Sequence, residues 1–384
     1  MKSSTRMEPI TSFIVMDILE AALEMERDGA DIIHMEVGEP DFSPPKAVME
    51  AIAKAAREGH THYTHSLGVL RLREAVASWY QRTYGVTVAS DCVIITPGTS
   101  GAFLNAVATL LDPGDSLLLT DPGYPCYPNF ARLLCARPQL LPLCPADGFV
   151  PRKEAVLAAI DQGVKAILIA SPANPTGALV PPDLLEWLAS LPVPLISDEI
   201  YHGLVYANAT AHTALEFSGE VIVVNGMSKR LAMTGLRIGW AIVPPELVRS
   251  FQKLNQNLFI CADSISQQAA IAALTDPSCE AEARIMVQTY DRRRGILIDG
   301  LRRIGFRLDY EPRGAFYVFA DIAAYSQDGF DFAYRLLREA RVASTPGIDF
   351  GRNETHHFLR FAYTIDEARI EEGLARIAKW LGVQ

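Results

Sequence analysis

The chain has 384 residues, 49% of them hydrophobic and 21% charged, with a formal net charge of -10. That length favours two domains over one core, and the acidic balance argues against a nucleic-acid-binding surface, which needs clustered Lys and Arg. No stretch reaches the roughly 20 apolar residues of a membrane span, and six scattered cysteines without a C-x-x-C pair suit reduced thiols rather than a disulfide frame or zinc site, so a cytoplasmic protein is expected.

The first 29 residues hold only a brief apolar run, Phe13–Met16, before Asp17 interrupts it, which fits an amphipathic helix better than a signal peptide. His60, His62 and His65 surround Tyr63 without metal-like partners and are expected to be solvated or structural. Strand candidates follow at Val93–Thr96, Ser116–Thr120, Ala166–Ala170, Pro194–Ser197, Val221–Val224 and Ile238–Val243. Helical patterns such as Ala102–Leu111 and Pro182–Ala189 lie between them, so the spacing predicts βαβ units and a largely parallel sheet. After about Thr275 come a long charged helical stretch, strand patterns at Ala315–Ala320 and Phe358–Ala362, and a closing helix over Asp366–Leu381. The expected division is a large domain over 44–280, with a smaller α+β domain formed by 1–43 and 281–384.

Ligands of parallel sheets gather at the carboxyl ends of the strands. There the sequence places Gly98-Thr99-Ser100, Asp121-Pro122-Gly123-Tyr124, Asn174-Pro175-Thr176-Gly177, Asp198 and Lys229. A reactive lysine needs its proton removed or a partner that captures its amine, and pyridoxal phosphate (PLP), an aldehyde, is such a partner. Asp198, at the end of an apolar strand, suits a protonated ring nitrogen, because a buried carboxylate is costly unless paired. Gly98, Thr99 and Ser100 open a helix, where backbone N–H groups and hydroxyls bind anions, and Arg237 offers a bidentate phosphate partner. Gly235 lies in the turn between Lys229 and Arg237. Taken singly, each of these residues also fits a turn or a helix cap.

The ordered motifs "VGEPDF" (37–42), "SPANPTG" (171–177), "SDEIY" (197–201), "MSKRLAMTGLRIGW" (227–240) and "FLRFAYT" (358–364) resemble the class I/II PLP-dependent aminotransferases of fold type I. The resemblance implies an α/β large domain with a mostly parallel seven-stranded sheet flanked by helices, plus the smaller α+β domain. It implies that Lys229 forms the Schiff base with PLP and shuttles the substrate's α-proton, with Asp198 on the pyridine nitrogen. Tyr201 and Asn174 would bind the ring's phenolic oxygen, and Tyr124 would stack on the ring. Gly98, Thr99, Ser100, Ser228 and Arg237 would hold the phosphate, with Tyr63 reaching across a homodimer to the neighbour's phosphate. Arg360 would clamp the substrate α-carboxylate, helped by the Gly38 backbone. Many aspartate enzymes of the family carry a serine three residues before the lysine, where this chain has Gly226. Phe259 and Ile260, in "QNLFICADS" (256–264), would line the side-chain pocket and favour neutral or aromatic substrates.

Two activities on this fold use nearly the same residues: aminotransfer between an amino acid and a 2-oxo acid, and carbon–sulfur β-elimination. A DNA-binding regulator is not expected, since one short helix precedes the catalytic-type region and the charge is acidic.

Overall fold

The computed structural model describes residues 2–383. Its strands, in chain order, are β1 Ile33–His34, β2 Val93–Pro97, β3 Ser116–Asp121, β4 Arg137–Pro142, β5 Val164–Ala170 and β6 Leu195–Asp198. They continue with β7 Ile222–Gly226, β8 Ile238–Ile242, β9 Tyr317–Asp321, β10 Val342–Ala343, β11 Thr345–Pro346 and β12 Phe358–Ala362.

Strands β2 to β8 form one seven-stranded sheet in the order β2-β8-β7-β6-β5-β3-β4. Neighbours from β7 through to β4 run parallel, while β8 is antiparallel to both β2 and β7. Both faces of the sheet are covered, which explains why its strands read as nearly continuous apolar runs. Alternate residues serve opposite faces: Ile167, Ile169, Val223 and Trp240 join one apolar cluster, and Ala166, Leu168, Ile222 and Ala241 the other. All six strand candidates of the large sheet coincide with strands to within a few residues. The seventh strand, β4, has no matching expectation. Its RPQLLP sequence contains two prolines and buries only Leu141, and it sits at the sheet edge, paired with β3 alone, where a missing N–H is tolerated.

A second core gathers Ile18, Ala22 and Ile33 with Leu297, Phe316, Leu359 and Ile377. Here β12 lies between β11 and β9 in an antiparallel sheet, and β1 pairs in parallel with β10. The amino-terminal helix Ile14–Arg27 therefore packs against β10 and β11, more than 300 residues later, and shares this core with the 28-residue helix Pro277–Ile304. The carboxyl ends of β5, β6 and β7 face this second core, and the register pairs Ala170 with Asp198 and Asp198 with Val224.

Candidate active site

A cavity of about 270 Å³ opens where those strand ends meet the second core. Of the residues expected from sequence, Gly38, Thr99, Tyr124, Asn174, Asp198, Tyr201, Lys229 and Arg360 line it. Asp198 ends β6, Lys229 follows β7 by three residues, and Asn174 follows β5. Arg360 arrives from the middle of β12, so both cores build the site.

Asp198 is 4% exposed. Its Oδ2 accepts from the Tyr127 hydroxyl and its Oδ1 from the Ile200 N–H at 3.0 Å. Burial lifts this carboxyl to about 6, against those hydrogen bonds and the nearby Lys229 charge, which lower it. The Lys229 Nζ donates to the Gly38 carbonyl at 2.8 Å. Burial brings the amine down to about 8, with Arg360 and Arg237 acting the same way and Glu39 and Asp198 opposing. Lys229 as a whole is half-buried, since its stem borders the open cavity, yet its amine end is desolvated enough for burial to dominate.

Beside the cavity, Gly98 begins a helix that runs to Leu110, and the Pro97 before it supplies no side-chain cap. Gly98 adopts φ +66, and a Cβ there would sit 2.6 Å from the Arg237 Nη2. This glycine thus lets the guanidinium approach the start of a helix that has no side-chain cap, a pairing that concentrates positive potential. Arg237 itself holds the left-handed position of its turn, φ 49, with Nη1 donating to the Thr234 carbonyl at 3.0 Å. The expected turn glycine, Gly235, has no such φ. Gly226 pairs with Gly239 in the sheet, and a Cβ at Gly226 would lie 3.1 Å from the Ile238 carbonyl oxygen and 3.3 Å from the Gly239 Cα. Close backbone packing therefore accounts for the glycine at 226.

Arg360 is 2% exposed. Its Nη1 donates to Asn174 Oδ1 at 2.9 Å, its Nη2 to the Glu36 carbonyl, and its Nε has no partner. The guanidinium lies 4.3 Å from the Tyr317 ring centroid and 4.7 Å from that of Phe350. Tyr201 and Tyr317 share a hydroxyl contact of 2.7 Å. A Cβ at Gly38 would collide with the Tyr317 hydroxyl at 1.8 Å, so only glycine lets the Gly38 carbonyl approach Lys229.

Other expected residues lie outside this lining. Ser100 is exposed, Ser228 is buried but does not reach the cavity, and Tyr63 is 79% exposed on the segment before helix Leu70–Tyr84. Phe259 and Ile260 do not line the cavity of the chain; Ile260 is 47% exposed and Phe259 lies beside Gly101. Phe13, Val15 and Met16, at the start of the amino-terminal helix, line the cavity instead, together with Glu39 and Thr234. Tyr127 and Tyr317 were also missed. Tyr127 follows Tyr124 by one helical turn, and Glu39 stands inside the quoted "VGEPDF", so both carried a weak signal.

The donor set fits PLP on two structural observations. Asp198 is a buried carboxylate whose hydrogen-bond partners are all neutral, which a protonated ring nitrogen would complete. The uncapped helix start beside Arg237 supplies an anion cradle for a phosphate.

Comparison with known proteins agrees with this geometry. The model of the family described as aminotransferase class I and II matches residues 30–377. A valine–pyruvate aminotransferase of Mycobacterium tuberculosis is 40% identical over 98% of this chain and 97% of its own length. A (5-formylfuran-3-yl)methyl phosphate transaminase of Methanocaldococcus jannaschii is also 40% identical, over 98% of this chain and 99% of its own. The crystal structure of an aminotransferase from Mycobacterium tuberculosis superposes with a TM-score of 0.96 at 40% identity, covering 100% of both chains. These three relatives are all aminotransferases, so the β-lyase alternative is not favoured.

Proposed function

We infer the roles of individual residues from the premise that the chain belongs to the aminotransferase class I and II family and is a PLP-dependent aminotransferase. The observation that carries the assignment is a desolvated lysine amine sharing one cavity with a buried carboxylate and a buried guanidinium.

PLP supplies an aldehyde that captures amino groups and a ring that spreads the charge left at a substrate's α-carbon. Asp198 holds the proton on the ring nitrogen, and the Tyr127 and Ile200 hydrogen bonds fix its carboxylate in place. Gly98, Thr99, Ser100 and Arg237 bind the phosphate. Ser228 joins them in this reading; of the five, Thr99 lines the cavity and the other four lie outside its lining. Asn174 and Tyr201 would bind the phenolic oxygen, and Tyr124, which lines the same cavity, would supply an aromatic contact to the ring. Arg360 orients the substrate by its α-carboxylate; the stacked Tyr317 and Phe350 rings hold the guanidinium plane, and the unpartnered Nε marks spare donor capacity. Lys229 Nζ, released from the cofactor, would take up the proton leaving the substrate's α-carbon, and the Gly38 carbonyl holds the amine end in the cavity. Phe13, Val15 and Met16 exclude water from above.

The working unit in this reading is a cytoplasmic homodimer in which Tyr63 completes the neighbour's phosphate site. A large aromatic left 79% exposed in one chain supports that role, and six free cysteines suit a reducing compartment. The two apolar clusters on the faces of the large sheet, and a third drawn mostly from the chain's two ends, support a division into a large domain, 44–280, and a small one.

The test is a half-reaction. PLP-loaded protein mixed with an amino acid alone should release about one equivalent of 2-oxo acid per site and stop, and a second 2-oxo acid should restart it. Continuous release of ammonia without an acceptor would contradict the reading.

A further inference from the structure

Phe13, Val15 and Met16 enter the cavity from the first turn of helix Ile14–Arg27. That turn has no cap of its own, because Phe13 at the N-cap makes no side-chain hydrogen bond. The cap comes from far along the chain. Asp349 accepts from the Ile14 N–H at 3.0 Å and from the Val15 N–H at 3.2 Å. Phe13 also meets Tyr124 edge-on, with 6.0 Å between ring centroids. The apolar turn is thereby fixed over the cavity between the two cores, by a charge-assisted cap on one side and an aromatic contact on the other.

The charges around this wall are unevenly placed. Lys229 and Arg360 are the only cations among the cavity-lining residues, and the reaction occupies both. Glu39 adds a negative charge at the rim, where its Oε1 accepts from the Thr234 hydroxyl. Within this chain, a second carboxylate on a substrate would meet an apolar surface and the Glu39 carboxylate. A branched or straight hydrocarbon side chain would be desolvated against Phe13, Val15 and Met16.

We propose that this turn, held by Asp349 and opposed by Glu39, selects amino acids and 2-oxo acids with neutral, apolar side chains, a reading that rests on the aminotransferase assignment above. Asp349 is a positioning residue, since it is bound to the helix backbone and does not line the cavity. Glu39 acts at the rim by excluding anionic side chains.

The test uses PLP-loaded protein and two acids that lack an amine, 3-methylbutanoate and succinate, titrated by the change in visible absorbance. L-Valine, L-alanine and L-aspartate are then compared in single turnover. The expected result is about tenfold or tighter binding of 3-methylbutanoate over succinate, and valine faster than aspartate by at least as much. Glu39→Gln should narrow both ratios several-fold. Asp349→Ala should lower the preference for valine over alanine, and Asp349→Asn, which keeps an acceptor oxygen, should restore part of it. Val15→Ala shortens the same wall without touching its cap and should lower that preference even if Asp349→Ala fails to fold. Tighter succinate binding with faster aspartate turnover would overturn the selector while leaving aminotransfer intact. Unchanged ratios in both Asp349→Ala and Val15→Ala would overturn the role of the turn. Conversion of no amino acid at all would overturn the aminotransferase reading and this inference with it.

Discussion

Arg360 on β12 donates from Nη1 to Asn174 Oδ1 at 2.9 Å, which ties the second core to the loop after β5 of the large sheet. The two residues are 186 positions apart in sequence. Their contact is the point where a substrate's α-carboxylate and the cofactor's phenolic oxygen would come under one hydrogen-bond network. Because the guanidinium is planar and forked, a point charge does not replace it. Arg360→Lys is therefore predicted to keep visible absorbance with PLP but to lose about 10²-fold in kcat/KM, from the missing second hydrogen bond and the freed Asn174. Steady-state kinetics with an amino donor checks this, and an unchanged KM would count against the carboxylate role.

Asp198 offers a second prediction. Asp198→Asn keeps the size and an acceptor oxygen for Ile200 but removes the charge facing the ring nitrogen. Half-reaction rates should fall by about 10²–10³-fold, the usual cost of losing a preorganised electrostatic partner, while PLP remains bound through its phosphate contacts. Stopped-flow absorbance separates the two effects.

The depressed Lys229 amine makes a stability prediction for the PLP-free protein. Its pKa in the folded chain is about 8, against 10.5 for the free side chain. The unfolded chain thus binds a proton more tightly, so the group destabilises the fold fully below pH 8 and progressively less as pH rises toward 10.5. Lys229→Met should raise the thermal midpoint most at neutral pH, with the gain shrinking across that window. Thermal unfolding at several pH values measures it; a gain that grows with pH would contradict the assigned shift.

Gly226 supplies a test of packing. A methyl group there meets backbone atoms of Ile238 and Gly239 at 3.1 and 3.3 Å, and backbone in the middle of a sheet yields little. Gly226→Ala should destabilise by about 1–3 kcal/mol, in the range of overpacked cores. Urea unfolding reads this directly, and an unshifted midpoint would show that the sheet relaxes.

Much of the large sheet was legible because burial on both faces forces apolar runs, bounded by turn residues that also carry the chemistry. Lys229, Asp198 and Asn174 could be placed at strand ends for that reason. Strand β4 was not legible, since an edge strand with two prolines has neither alternation nor an apolar run. The selectivity wall was missed for a different cause. Its position depends on Asp349 capping a helix 335 residues earlier, and no local pattern encodes so distant a partner. Tyr317 was missed similarly, because its part in the site comes from contacts with Gly38, Tyr201 and Arg360, all remote in sequence. Resemblance supplied the role of Arg360; periodicity alone would have read it as a charge misplaced in a buried strand.

The central claim is that Lys229 is the amine that joins PLP. It is tested most directly by loading the protein with PLP, reducing it with borohydride and locating the added phosphopyridoxyl mass by peptide mapping. The account predicts one such group per chain, on the peptide containing Lys229, and none in Lys229→Ala. A group found on Lys165, Lys253 or any other lysine, or retained in the variant at the same yield, would contradict it.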